Sequence, residues 1–500
     1  MNDTDPRFRQ AAIRILPDDA LLDIFSFYVD QADKEAEWHT LVHVCQRWRN
    51  VVFGSPRRLH LTLVYDPSRP VGEMLDIWPA MPFVIILSLH DSPGGEREVT
   101  LIDNTITALE HHERIRRIAG SYLPILNMGK LVAGMCQPFP MLTSMQLSGH
   151  ISSSWADMGR VTCLPDSFLG GSAPRLRTLT LIDISFPALP NLLLSANGLV
   201  HLDLWDIPKS AYIPPDEMVV CLSTLTRLKT LYLGFCYGLS GALSRRPPLL
   251  THTVLHALTT LWFSGDSEYW EDFISRIDAP LLNDTDISFP NSFAPDTPQF
   301  VQFINRTEMP RSFNRATIGF YRDCDDVALS SENLRVDQQS VRLRVSWNLR
   351  DLRPMTLSWC YRSSLPLPLL SVLEYLDMHD HAYQWEQVPN ADHTQWLDLL
   401  RLFPSVRGLS LSDGFTLPVM TALGELVGGR VLDVLPVLQN VHLHWHGPQG
   451  PLYKPVGQFV AARELSGHPV AIHGWGSGAW IENSAWGRRD TKSARCFLTH

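Results

Sequence analysis

What this 500-residue chain lacks narrows its chemistry first. A bilayer span needs about 20 consecutive apolar residues, and the longest purely apolar run lies only around Phe83 to Leu87. Met1 to Gln10 is polar, without the apolar stretch of a signal peptide. Eight cysteines are scattered with no C-x-x-C pair, so they read as reduced and mostly buried thiols rather than a disulfide framework or zinc site. Positive charge is also short. Lys and Arg number 42 against 52 Asp and Glu, a formal charge of −10, which argues against a general nucleic-acid or anionic-membrane partner. The expectation is a cytoplasmic or nuclear protein that binds neither nucleic acid nor membrane.

Catalytic signatures are equally scarce. His111-His112-Glu113 lacks the second histidine of H-E-x-x-H. Gly94-Gly95 and Gly428-Gly429 have no following Gly-Lys-Ser/Thr, and Gly170-Gly171-Ser172 reads as a turn before Pro174 rather than a nucleophile elbow. His442, His444 and His446 alternate as on a strand, but no carboxylate or cysteine at ligand spacing accompanies them. No catalytic residue, metal ligand or cofactor is therefore expected. An enzyme would have to place its site at that histidine row or in the poorly periodic segment Gln299 to Trp347.

What is present is apolar and periodic: 45% of residues are hydrophobic and 19% charged, a folded chain. Near the N-terminus, Leu16-Pro17-Asp18-Asp19 precedes a helical stripe of Leu21, Leu22, Phe25 and Val29. Pro17 suits a first turn, where its missing N–H costs nothing, and the two aspartates complement the positive end of the helix dipole. After a polar interruption from Asp30 to Glu37, a second amphipathic segment places Trp38, Leu41, Cys45 and Trp48 on one face, widened by Val44 and Val52. On periodicity alone this is either a docking module or a helical subdomain packed on the rest.

Beyond it the chain repeats L-x-x-L-x-L. The copies are Leu142-Met145-Leu147, Leu176-Leu179-Leu181, Leu199-Leu202-Leu204, Leu228-Leu231-Leu233 and Leu258-Leu261-Phe263, then Leu373-Leu376-Met378, Val406-Leu409-Leu411 and Leu438-Val441-Leu443. Successive third anchors from Leu147 to Phe263 lie 34, 23, 29 and 30 residues apart. These scatter about and just above the roughly 20–29 residue leucine-rich period. Each set predicts a short strand with its anchors in a shared core. Pro140, Pro174, Pro404 and Pro436 stand two residues before first anchors and are expected to stop a preceding helix. Earlier, Leu59-Leu61-Leu63 and Phe83 to Leu89 read as strands, Leu101 to His111 as a helix, with a strand near Ile118. Phe303-Ile304 ends a helix, and Ala316 to Phe320 and Val341 to Val345 are further strands.

Residues between anchors face away from that core. They include Thr180, Asp203, Tyr232, Trp262, Asp377, Ser410 and His442, with Trp205, Asp206, Phe235, His444 and Trp445 just after their strands. An aromatic and acidic surface of this kind suits protein recognition, with Asp203, Trp205, Tyr232, Trp262, Asp377, His442, His444 and Trp445 as candidate target-binding residues. The alternative for each ring is packing against a neighbouring repeat.

Leu16-Pro17, Leu21-Leu22-Asp23-Ile24-Phe25 and Val44-Cys45-Gln46-Arg47-Trp48-Arg49 together resemble an F-box over roughly residues 13–60, in the divergent form of large fungal, basidiomycete-type families. The Asp30–Glu37 connection is longer and more charged than that pattern. The resemblance implies an α/β chain with a short all-α F-box module ahead of a leucine-rich-repeat solenoid, a horseshoe. Its parts are a flexible N-terminus at 1–12, the module at 13–58, the solenoid at 59–470 and an irregular C-terminal cap or tail at 471–500. It further implies a non-catalytic substrate receptor of a Skp–cullin–F-box ubiquitin ligase. Leu16, Pro17, Leu21, Leu22, Ile24, Phe25, Val44, Cys45 and Trp48 would serve the adaptor or the module's own core, with a cullin reached through the adaptor and a protein target on the repeats. The rival reading is a leucine-rich scaffold whose N-terminal helices only cap the array.

Overall fold

The computed structural model describes residues 16–31, 38–55, 59, 61–77, 81–88, 95–123, 125–149, 162–235, 252–290, 297–307, 309, 313–320, 325–331, 341–347, 370–380, 393–426, 428–444 and 450–475. The fold is mixed α/β with a large, mostly parallel sheet. The chain divides into two compact units, Met1–His201 and Leu202–His500.

The first unit opens with three helices, α1 (Asp18–Gln31), α2 (His39–Val44) and α3 (Gln46–Gly54). The Pro17 carbonyl accepts the Leu21 N–H, so the proline sits at the entry to α1 with both aspartates in its first turn. Leu21, Leu22 and Phe25 of the first predicted stripe and Trp38, Leu41 and Val52 of the second are buried, together with Val42 and Val51, which neither stripe included. The second segment is not one helix. Cys45 is extended, at φ −160°, and separates α2 from α3. The break rotates the predicted face, so Trp38 is 1% exposed while Cys45 is fully outside the core.

Five parallel strands follow in chain order: β1 (Leu63–Tyr65), β2 (Phe83–Ser88), β3 (Ile115–Leu123), β4 (Ser144–Gly149) and β5 (Thr178–Ile182). Tyr65, Ile85, Ile118, Met145 and Leu179 pair across them as one buried row. Helices α4 (Val71–Ile77), α5 (Glu96–Leu109) and α6 (Ile125–Gly134) connect the first four strands. The Trp38 indole N–H donates to the Thr62 carbonyl at 2.8 Å, tying the helical module to the entry of β1. The helical module and the first strands lie within the same compact unit.

In the second unit the strands are β6 (His201–Ile207, starting at the boundary), β7 (Thr230–Phe235), β8 (Thr260–Ser264), β9 (Asp284–Phe289), β10 (Arg315–Phe320), β11 (Asp325–Ser330), β12 (Arg342–Trp347), β13 (Tyr375–Asp380), β14 (Gly408–Leu411), β15 (Asn440–His444) and β16 (Ala471–Trp475). Their order is β6-β7-β8-β9-β12-β11-β10-β13-β14-β15-β16. The poorly periodic segment is thus an S-shaped insertion. Strand β10 lies parallel to β13, β11 returns antiparallel, and β12 closes parallel to β9. Helices α7 (Leu189–Ser195), α8 (Pro215–Thr224), α9 (Ser267–Ile274), α10 (Pro298–Arg306), α11 (His393–Leu400), α12 (Asp413–Gly424) and α13 (Gly450–Leu465) lie between strands along the rest of the chain. Strand β16 pairs parallel with β15, so regular structure continues past residue 470 to Trp475, where an irregular cap was expected. Residues 1–15 and 476–500 lie outside the described residues.

Every anchor read from the sequence is buried, none more than 5% exposed. The hydrogen bonds show what precedes each strand. The first anchor's N–H donates to the carbonyl three residues back: Leu142 to Phe139, Leu176 to Ala173, Leu228 to Leu225, Val406 to Phe403 and Leu438 to Leu435. Pro140, Pro174, Pro404 and Pro436 therefore occupy the second position of a tight turn, where a φ near −65° is already correct. They form the turn itself, and the residue before each proline is buried as an additional anchor.

Candidate functional site

Two surfaces hold the residues singled out from the sequence. On the helical module that set divides. Leu21, Leu22 and Phe25 are core, and Phe25 meets the half-buried Trp48 ring at 4.7 Å between centroids. Ile24, at 50% exposure, and Val44, at 59%, face solvent with Pro17 and Cys45, and Leu16 is intermediate. Phe27, at 69%, and Tyr28 are also exposed. Ile24, Phe27 and Tyr28 stand at i, i+3 and i+4, a second apolar stripe on α1 beside the one that forms the core. Sequence reasoning missed Phe27 and Tyr28 because the core stripe absorbed the whole helix, although the same spacing rule finds them. The Tyr28 hydroxyl lies 3.2 Å from Thr40 Oγ1, one helical turn before Val44, so the outward groups of α1 and α2 adjoin. Arg47 braces this face, donating to the Leu16 carbonyl and to Asp18 at 2.6 Å.

The second surface is the outward face of the second unit's strands. Tyr232, Trp262, Asp286 and Arg344 stand in register on β7, β8, β9 and β12, and Asp377, Ser410, His442 and His473 on β13, β14, β15 and β16. At the first end the Tyr232 and Trp262 rings stack at 4.6 Å and 27°. Arg342 lies over Trp262 at 5.8 Å from the ring centroid while its Nε donates to Asp284 at 2.8 Å. Arg344 pairs with Asp286 at 3.6 Å. Asp203, on β6, is pushed up to about 7 by burial. Tyr232 is raised as well, by burial first and then by the carboxylates of Asp284 and Asp203. The Trp262 indole N–H is buried with no acceptor among the described residues. Trp205 is partly spent on packing, because its ring lies where a Cβ on Gly234 would stand, 2.7 Å away.

The other end differs from expectation. Asp377 is 6% exposed and ion-paired with Arg315, whose guanidinium also lies 5.2 Å from the centre of the Tyr375 ring. It is a neutralised internal acid rather than an exposed one. His442 stacks on His473 of the next strand at 4.7 Å, and burial followed by His473 lowers its pKa. His444 Nε2 lies 3.4 Å from Ser410 Oγ. No grouping of three or more histidines, cysteines or carboxylates fit for a metal occurs among the described residues. Trp445 and His446 lie outside them.

No protein-family model matches the chain, and no curated protein matches it in sequence.

The sequence reading missed Asp284, Asp286, Arg342 and Arg344. Their signal is nonetheless present: Asp-Thr-Asp and Arg-Leu-Arg alternate with period two, and opposite charges at that spacing favour cross-strand pairing. Among the described residues no helix is long and apolar enough to cross a membrane.

Proposed function

We propose that the chain is the substrate-recognition subunit of a Skp–cullin–F-box type ubiquitin ligase, acting in the cytoplasm or nucleus. In this reading the N-terminal helices dock a Skp-type adaptor, which leads to a cullin. The strands and helices beyond them form a leucine-rich-repeat solenoid that holds a protein target. The chain supplies no reacting group and binds no cofactor. Its contribution is effective concentration and orientation of the target beside a charged ubiquitin carrier.

The observation that carries this reading is the exposed apolar face of Ile24, Phe27, Tyr28 and Val44. A module whose only task was to pack on β1 would need one apolar stripe, and α1 has two. Large side chains left in water on one continuous face mark an interaction site. Taking apolar area from water at about 25 cal/mol per Å² makes such residues the expected anchors of an interface.

A second reading is favoured by the Trp38–Thr62 bond, since the same helices also cover the entry to the first strand. There they would cap the array of a scaffold protein and bind no ligase. Co-purification of the full chain with a Skp-type adaptor separates the two. The receptor reading expects a complex that Ile24→Glu with Val44→Glu abolishes while the circular dichroism spectrum is unchanged. A folded full chain that does not associate leaves the capping reading.

A further inference from the structure

Outside the large sheet, the second unit holds a short parallel pair, Thr253–Val254 with Ile277–Asp278. Where α10 meets this pair there is a cavity of about 230 Å³. Ala279, Phe303 and Thr307 make its buried floor, while Val254, Pro280 and Arg306 form exposed walls. We propose that this cavity is an anchor pocket for one aromatic side chain of the target protein. This rests on the receptor reading in supposing that the partner is a protein.

Size limits the occupant first. Pockets for drug-sized molecules start at about 300 Å³, so this one suits a single large side chain. Arg306 then decides which kind. Its Nε lies 2.7 Å from Asp278 Oδ1, and its Nη2 donates to the Ile277 carbonyl at 3.4 Å. Asp278 also meets His252 Nε2 at 3.4 Å. The guanidinium is thus held in place and its charge is paired, with the side chain still 43% exposed.

The same unit shows twice what such an arginine does. Arg315, held by Asp377, lies 5.2 Å from the centre of the Tyr375 ring. Arg342, held by Asp284, lies 5.8 Å from the centre of the Trp262 ring. Arg306 has the same aspartate anchor, yet among the described residues no ring lies over it. The cavity lies beside it instead, lined by its side chain. A guanidinium attracts the electron-rich face of an aromatic ring, which fills the apolar floor at the same time. An acidic side chain would approach Asp278 and a basic one Arg306, each meeting its own charge. An aliphatic one would fill the floor and leave the guanidinium without a ring. Around the mouth, Val254 and Leu281 leave further apolar surface exposed for the residues that flank the anchor.

The test uses the full chain and an array of short random peptides with each position fixed in turn to one residue type. Captured peptides should be enriched in Phe, Tyr or Trp at one position. A selected peptide should bind Arg306→Met, which keeps the aliphatic stem and loses the guanidinium, about two- to fivefold more weakly. Replacing its aromatic residue with cyclohexylalanine, which keeps the bulk and loses the ring electrons, should weaken binding to the unaltered chain by the same factor. Circular dichroism checks that the variant folds. Should it not fold, Val254→Glu, which places a carboxylate on another exposed wall, takes its place with the same expected loss. Capture without aromatic preference, enrichment in acidic or basic peptides instead, equal binding of the cyclohexylalanine peptide, or equal binding by the folded variant overturns the pocket. Adaptor co-purification on the same preparation keeps the two readings apart. Adaptor binding without aromatic preference removes the pocket alone. Aromatic preference lost in the variant, but without adaptor binding, upholds the pocket and removes the ligase.

Discussion

Replacing Arg463 with methionine isolates one buried guanidinium. Arg463 lies on α13, is 1% exposed and meets no carboxylate among the described residues; burial lowers its pKa. Instead it donates to four carbonyls: His468 at 3.1 Å, Leu435 at 3.3 Å, Pro436 at 3.3 Å and Leu438 at 2.8 Å. Three of these belong to the turn before β15, in which Leu435 holds a left-handed φ of 49° ahead of a proline. A non-glycine residue in that region costs on the order of 1–3 kcal/mol and persists only where its surroundings hold it. In Arg463→Met the Leu435 carbonyl keeps the Leu438 N–H. The exposed His468 and the partly buried Pro436 carbonyl are free to bond water, but the Leu438 carbonyl loses a charged donor inside the fold. At about 1–3 kcal/mol for a buried group left unsatisfied, the expected loss is about 2 kcal/mol. Methionine matches arginine in helix propensity, so α13 itself is unaffected. Denaturant unfolding of the full chain and hydrogen exchange at Val441 and Leu443 read the loss globally and locally. A change below about 0.5 kcal/mol in both would refute the claim that the guanidinium holds the turn.

Other substitutions test separate parts of the structure. Tyr269 is 1% exposed with a buried hydroxyl that has no hydrogen-bond partner among the described residues, so Tyr269→Phe should stabilise by about 1 kcal/mol, measured by denaturant midpoint. The Glu271 carboxylate accepts the N–H groups of Gln299 and Phe300 at 2.8 and 3.0 Å, capping α10 from outside. Glu271→Ala should cost about 1–2 kcal/mol in the same assay. Burial raises Asp203 to about 7, above the unfolded carboxyl, so the folded chain binds the extra proton. The stability this adds is complete below about pH 4 and is lost as pH rises through about 7. Thermal unfolding across that window should show a decline that Asp203→Asn flattens, with the variant the more stable of the two at pH 8; an unchanged slope contradicts it.

Legibility in the sequence followed the range of the forces involved. The leucine anchors were readable because each marks a strand by local spacing, and all of them are buried. A further copy, Leu282-Thr285-Ile287, was missed because threonine holds the middle anchor. It is 0% exposed, with its hydroxyl 3.9 Å from Met309 Sδ. Strand β11 escaped because Asp325 and Asp326 open it, and pairing between β10, β11 and β12 compensates. The order of those three strands depends on contacts far apart in the chain, which periodicity does not encode. Locally, one extended residue at Cys45 turned a single amphipathic face into two helices. The candidate surfaces show the same contrast. Tyr232 and Trp262 were visible as aromatic residues at outward positions, whereas Val44 was read onto the apolar face of its segment and Ile24 entered only through the F-box resemblance; the burial of Asp377 required knowing that Arg315, 62 residues away, would meet it.

The most direct test of the account is co-expression of the full chain with a Skp-type adaptor, in wild type and with Phe27→Glu. Phe27 is 69% exposed, so the substitution does not disturb the core. The account predicts a complex with the wild-type chain, lost in Phe27→Glu while its unfolding transition stays in place. A wild-type chain that unfolds cooperatively yet brings down no adaptor would contradict it.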